Sequence, residues 1–288
     1  MNSYVILTDS GCDIKAQTLA EWGVDYKALT YRFNGEDASV ADGELPVSEF
    51  YAKMRAGGVA KTAAINTEEF SLIFSEHLES GCDIFYLGFS SGLSNTYNAA
   101  RIAAEQCKEK FPDRKIVTFD SLCASAGQGL LLHLLCEKKA QGASLSELEE
   151  YAREIVLNVC HFFTVDDLVY LKRGGRVSPT VAFVGGLLGI KPVLHVDDEG
   201  HLISLAKVRG RRAAIVALAD KYTELALDRE GGTIFISHGD CEKDAQALAQ
   251  ILKERHGVSV KLITDVGAVI GSHSGPGTLA LFFIGSHR

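Results

Sequence analysis

The sequence predicts an α/β fold in two domains. Residues 1–160 should form an N-terminal parallel sheet with helices on both faces, and residues 161–288 a C-terminal α+β domain. Three observations lead there. Short apolar runs alternate with helix-patterned segments through the first half, the arrangement that builds a parallel sheet. Small hydroxyl and acidic residues follow three of those runs, at Asp9-Ser10, Ser90-Ser91 and Asp120-Ser121, where the carboxyl ends of strands bind ligands in such sheets. Between Asn158 and Phe162 the regular alternation stops, and hairpin signals appear.

In chain order, Tyr4–Leu7 reads as a strand, followed by a helix from about Ile14 to Trp22. Val24 to Phe33 reads as one further strand ending in an Asn34-Gly35 turn. A polar excursion occupies roughly 36–60 and includes a helix near Val47–Arg55 that stops at Gly57-Gly58. Lys61 to Asn66 reads as an irregular link into a helix, with Asn66 and Glu69 spaced as a capping box. Ile84–Leu87 is a buried strand and Ile116–Phe119 another. A helix carrying Leu130, Leu131, Leu134 and Leu135 follows, then one opened by Ser144 and Glu147. Beyond 160, a short helical pattern ends in the basic glycine turn Lys172-Arg173-Gly174-Gly175-Arg176. Val181–Leu188 reads as a buried apolar helix. Lys191–Val196 and Leu202–Val208 flank an acidic glycine turn and predict a hairpin. A helix from Arg212, strands at Thr233–Ser237 and Val258–Thr264, an intervening helix and a last strand, Leu279–Ile284, complete the chain.

The chemistry is densest between Asp83 and Glu105. A strand there feeds an Ala-rich helix through Ser90, Ser91, Gly92, Ser94, Asn95 and Thr96. Hydroxyls and unpaired amides at a helix start suit an anion, although the same residues also serve as ordinary caps. Gly88-Phe89-Ser90-Ser91-Gly92 also matches the nucleophile elbow of serine hydrolases, with His273 downstream and Asp120, Asp240 or Asp265 as the acid. No phosphate loop with Walker spacing and no dinucleotide glycine fingerprint is present. Two basic clusters, Lys172/Arg173/Arg176 and Lys207/Arg209/Arg211/Arg212, stand out on a chain with 29 Lys+Arg against 37 Asp+Glu. Arg209 ends an apolar strand just before Gly210, which marks it as a functional candidate.

The net charge of −8 argues against nucleic acid or an anionic membrane as the main partner. No apolar run reaches the length of a membrane span, and Met1–Asp9 does not resemble a secretion signal. The seven cysteines lack metal-ligand or disulfide spacing and predict reduced thiols in the cytosol.

Motifs spread through nearly the whole chain resemble the DegV family, whose members are similar to the fatty-acid-binding subunit of the bacterial fatty acid kinase system. They are Thr8-Asp9-Ser10, Lys61-Thr62, Ser90 to Ala100, Asp120 to Gly129, Leu168 to Arg176, Lys191-Pro192, Lys207 to Arg211 and His273 to Gly277. The family usually carries Lys-Thr-Ser-Gln-Pro-Ser where this chain has Lys61 to Asn66, and Gly at the place of Asn95. The resemblance implies a non-catalytic, cytoplasmic carrier with no cofactor. One long-chain fatty acid would lie between its domains as ligand. Thr62 and Ser94 would hold the carboxylate, with Ser91, Asn95, Arg209 and His273 at the site. Arg173 and Arg176 would contact a partner, a separate fatty acid kinase subunit that converts the bound acid to an acyl phosphate for phospholipid synthesis.

Overall fold

β1 (Tyr4–Asp9) is the axis of the first sheet. In the structure, a computed structural model that describes residues 3–177 and 189–288, β1 pairs in parallel with β2 (Val24–Lys27) and with β6 (Asp83–Gly88). β7 (Ile116–Asp120) extends the sheet beyond β6, giving the order β2-β1-β6-β7. Every residue of β6 is buried because helices cover both faces. Ile84 and Tyr86 point toward α3 (Thr67–Glu79) and α4 (Thr96–Lys110), whereas Phe85 and Leu87 point toward α5 (Ala126–Ala140) and α6 (Leu145–Ile155). The expected capping boxes at Asn66/Glu69 and Ser144/Glu147 open α3 and α6. The expected segment Val181–Leu188 lies outside the described residues.

Three expectations are corrected. The single strand expected at Val24–Phe33 is divided: β2 stays in the parallel sheet, and β3 (Thr30–Phe33) leaves it. β3 pairs antiparallel with β4 (Val40–Ala41) and β5 (Ala60–Ala63) in a separate three-stranded sheet. Tyr31 and Phe33 drive the departure, because they bury themselves against Phe50 of α2 (Val47–Arg55) at ring distances of 5.2 and 5.5 Å. Lys61–Ala63, read as irregular, is therefore strand, and the polar excursion is packed onto the body of the protein. The first helix, α1 (Ala16–Glu21), starts later than expected. A 3-10 turn, Ser10–Cys12, precedes it because Asp9 accepts from Gly11 N at 3.0 Å.

β8 (Val159–Thr164) belongs wholly to the second sheet, so the chain changes sheets at Asn158–Val159. That sheet has the order β10-β9-β8-β13-β11-β12. Its hairpin is β9 (Ile190–Val196) with β10 (Leu202–Arg209). β11 (Phe235–His238) and β12 (Leu262–Asp265) are parallel, and β13 (Leu279–Ile284) runs antiparallel between β8 and β11. One face, with Phe162, Ile236 and Phe283, packs on the helices Arg211–Leu225 and Glu242–His256. The other face, with Phe163, Phe235, Ala280 and Phe282, shares a core with α5. α5 thus lies between the sheets. Its start must be slim: a Cβ on Gly127 would sit 2.0 Å from His161 Nε2, and one on Gly129 would sit 2.5 Å from Ile14 Cδ1. Among the described residues no helix is long and apolar enough to cross a membrane, and all seven cysteines are unpaired.

Buried polar ties fix the loops at the strand ends. Asp9 is wholly buried and accepts from Phe89 N (2.9 Å), Tyr86 Oη (2.6 Å) and Gly11 N (3.0 Å). Burial pushes its carboxyl pKa up, and these donors, with Gln128, pull it back. Asp120 accepts from Ser91 N and Leu122 N. The Arg288 guanidinium donates to the carbonyls of Val156, Val159, Leu122 and Asp197, joining the two sheets. Replacing Asp9 would leave several buried donors without acceptors, each costing about 1–3 kcal/mol. Asp9→Ala is therefore expected to lower unfolding free energy by about 3 kcal/mol or more in urea titration. A loss below about 1 kcal/mol would mean that Asp9 does not organise these loops.

Candidate functional site

A cavity of about 250 Å³ lies between the two sheets. Its walls are mostly alkyl and aromatic: Leu29, Phe89, Leu93, Phe163, Leu171, Val196, Val269, Ile270, Ala280 and Phe282 all contribute. The alternation of β8 and β13 explains much of this, since Phe163 and Phe282 lie on the sheet face opposite the outer helices.

A group of polar side chains interrupts the apolar wall. Thr62 comes from β5, Ser94 and Asn95 precede α4, Arg176 follows α7 (Val169–Gly174), and His273 lies on the short helix Ala268–Ser274. Thr62 Oγ1 and His273 Nε2 are hydrogen-bonded at 2.8 Å across 211 positions of sequence. Ser94 Oγ accepts from Thr96 N at 3.2 Å and lies 2.9 Å from Thr96 Oγ1. Arg176, expected as a partner contact, instead lines the cavity, anchored by bonds from Nε to Leu93 O (3.1 Å) and from Nη1 to Gly174 O (2.5 Å).

Several constraints hold His273 there. Asp42 Oδ1 accepts from Ala268 N (3.0 Å) and Asp13 Oδ1 from Gly267 N (2.9 Å), both at the start of its helix. Tyr51 Oη donates to Val266 O at 2.9 Å. On the other side Gly174 makes room for the ring, since a Cβ there would fall 2.2 Å from His273 Nδ1. Burial, and secondarily the Arg176 charge, pulls the imidazole pKa down to about 4. His273 is therefore neutral at pH 7. Its Nδ1 is buried with no hydrogen-bond partner among the described residues. With the proton on Nε2, the ring donates to Thr62 and leaves the Thr62 hydroxyl hydrogen to point into the cavity. Thr62, Ser94 and the Arg176 charge together make one end of an apolar cavity suitable for an anion.

The other sequence candidates fall elsewhere. Ser91 is exposed and is tied through its amide to Asp120. Arg209 is exposed at the end of β10, outside the residues that line the cavity. Arg173 is exposed and lies over the Tyr170 ring at 5.7 Å.

The nucleophile-elbow alternative is corrected. Ser90 Oγ is fully buried and donates to Gly200 O at 2.9 Å, while His273 bonds to Thr62. The acids proposed for it are engaged otherwise: Asp120 with loop amides, Asp240 with Arg55, and Asp265 with Lys15. Sequence reasoning missed Ser125, Ser237, His161 and Ser274, which also line the cavity. Ser125 and Ser274 lie inside motifs already singled out, whereas nothing in the local patterns of His161 and Ser237 separates them from core residues. They become neighbours only when the second sheet packs on α5.

The model of the DegV family, described as "Uncharacterised protein, DegV family", matches residues 3–286. A DegV domain-containing protein of Clostridium perfringens is 41% identical over 289 residues, covering 100% of this chain and 99% of its own. Among solved structures, a DegV lipid-binding protein from Thermotoga maritima aligns with TM-score 0.86 at 30% identity, over 99% of both chains. A DegV family protein from Thermus thermophilus, described for its fatty acid binding, aligns with TM-score 0.88 at 29% identity, over 99% of this chain and 100% of its own. This chain belongs to the DegV family.

Proposed function

We propose that the protein binds one long-chain fatty acid in the cavity between its sheets and presents the carboxylate to a partner kinase for acyl-phosphate formation. The observation that carries this reading is the meeting of Thr62, Ser94, His273 and Arg176 at one place in an otherwise apolar cavity. The Thermotoga and Thermus relatives, described as lipid- and fatty-acid-binding, support it. The protein acts as a carrier and supplies no catalytic nucleophile of its own.

The energetics divide the roles. Burying about fifteen methylenes at roughly 0.8 kcal/mol each gives on the order of 12 kcal/mol before ordering costs. A hydrogen bond to a charged carboxylate adds about 1.5–3 kcal/mol. The tail therefore sets affinity, and the polar end sets which atom faces outward. Thr62 and Ser94 donate to the carboxylate, and the Arg176 charge offsets its own. Asn95, at the exposed edge of the same wall, closes the head-group end. Arg209 and Arg173, both exposed, serve the partner surface instead of the ligand.

Thr62→Val and Ser94→Ala should each weaken fatty-acid binding by about 1–3 kcal/mol. Arg209→Ala should leave the dissociation constant within about tenfold, roughly 1.4 kcal/mol, and yet greatly slow acyl-phosphate formation with a cognate kinase. Dissociation constants paired with kinase-coupled turnover decide the matter. Full affinity in the Thr62→Val, Ser94→Ala double variant would refute the head-group assignment, and undiminished turnover in Arg209→Ala would remove that residue from the partner surface.

The depressed His273 pKa gives a second expectation. Its contribution to stability is fully present above the ordinary histidine value near 6.5 and is lost as pH falls through about 4. An NMR titration of the ligand-free protein, with the resonance assigned by His273→Gln, should find this ring neutral at pH 6. A midpoint near 6.5 would contradict the buried, Arg176-flanked environment.

A further inference from the structure

We propose that the same cavity holds a second polar subsite, built by Ser125, Ser237, Ser274 and Thr278, which receives a hydroxyl group carried on the acyl chain. The inference rests on the fatty-acid reading and names its ligand class: hydroxylated long-chain acids.

All four side chains line the cavity, and all are nearly inaccessible, at 6, 0, 5 and 4% exposure respectively. Ser237 of β11 pairs opposite Ala280 of β13, so Thr278, two residues before Ala280, lies on the same face of the sheet. Ser125 Oγ approaches from the start of α5 and lies 2.9 Å from Ser237 Oγ. Ser125 also donates to the buried Asp13 carboxyl, which fixes its hydroxyl. Its backbone, at φ 55 and ψ −148, occupies a region otherwise reserved for glycine. The packing between sheets therefore keeps a hydroxyl against the cavity at a conformational cost.

Ser274 provides the unfilled valence. Its Oγ is buried and has no hydrogen-bond partner among the described residues. Thr278 Oγ1 donates to Gly275 O at 2.7 Å, leaving its lone pairs to accept. Opposite a methylene, Ser274 stays unsatisfied, which is unfavourable in an apolar interior. A keto oxygen could only accept. A hydroxyl can accept from Ser274 and donate to Ser237 or Thr278, so it completes the set where a keto oxygen cannot.

The test measures dissociation constants for stearate and a positional series of monohydroxystearates with the full-length protein and with Ser237→Ala and Ser274→Ala. Both substitutions are small, and retained thermal midpoints verify folding. At least one positional isomer should bind about tenfold more tightly than stearate, the upper range for one net hydrogen bond. Each variant should bring that ratio back toward one. The proposal is overturned if every hydroxylated acid binds more weakly than stearate. It is also overturned if the variants weaken stearate and the hydroxylated acids equally, because Ser274 would then be a contact of the carboxylate. If no acid of either kind binds, the fatty-acid reading itself falls and takes this one with it.

Discussion

The attachment of the helix Ala268–Ser274 to the first half of the chain is the constraint on which the candidate site depends. This helix belongs by sequence to the second sheet, yet its first amides are held by Asp13 and Asp42, and the preceding carbonyl by Tyr51. Those bonds, together with the packing of Ala268 and Val269 against Phe50 and Tyr51, bring His273 to Thr62. The two carboxyls are buried beside each other. Burial pushes the Asp42 pKa up to about 6, and burial with the Asp42 charge raises Asp13 well above the ordinary carboxylate range. Stability from the raised Asp42 is fully present below the ordinary carboxylate pKa and is lost as pH rises through about 6. The helix is thus clamped by acids that share a restricted dielectric space, and the amides of the helix start offset part of their cost.

The second consequence is a single apolar interior shared by two sheets. α5 packs on Phe85 and Leu87 from the first sheet and on Phe163, Phe235 and Phe282 from the second. The cavity is the place where this shared core is left open. Its walls are therefore core residues, and its polar groups arrive from β5, the start of α4, the segment after α7 and the helix Ala268–Ser274. Arg288 and the Ser90–Gly200 bond reinforce the same junction. Relative motion of the two sheets would change the cavity and the Thr62–His273 contact together.

Much of the fold was legible in the sequence because it is local. The Asn66/Glu69 and Ser144/Glu147 caps, the helix Val47–Arg55 and the strand Leu279–Ile284 follow from spacing alone. The division of Val24–Phe33 was not legible, because only the three-dimensional position of Phe50 tells Tyr31 and Phe33 to leave the parallel sheet. The candidate site shows the same split. Ser94 could be placed by its helix-start context, and Thr62 and His273 by resemblance. The Ser125–Ser237 pair required two sheets to meet. Arg209, conspicuous at the end of an apolar strand, proved exposed and outside the cavity wall, since β10 is the edge strand of its sheet and has no buried residue.

A cavity that is apolar along its walls and polar at one end should keep a lipid through purification. The most direct measurement is mass spectrometry of the organic extract from protein purified from a bacterial host, quantified against protein concentration. Close to one long-chain fatty acid per chain is expected. A lipid-free protein that also fails to take up added palmitate or oleate would contradict it.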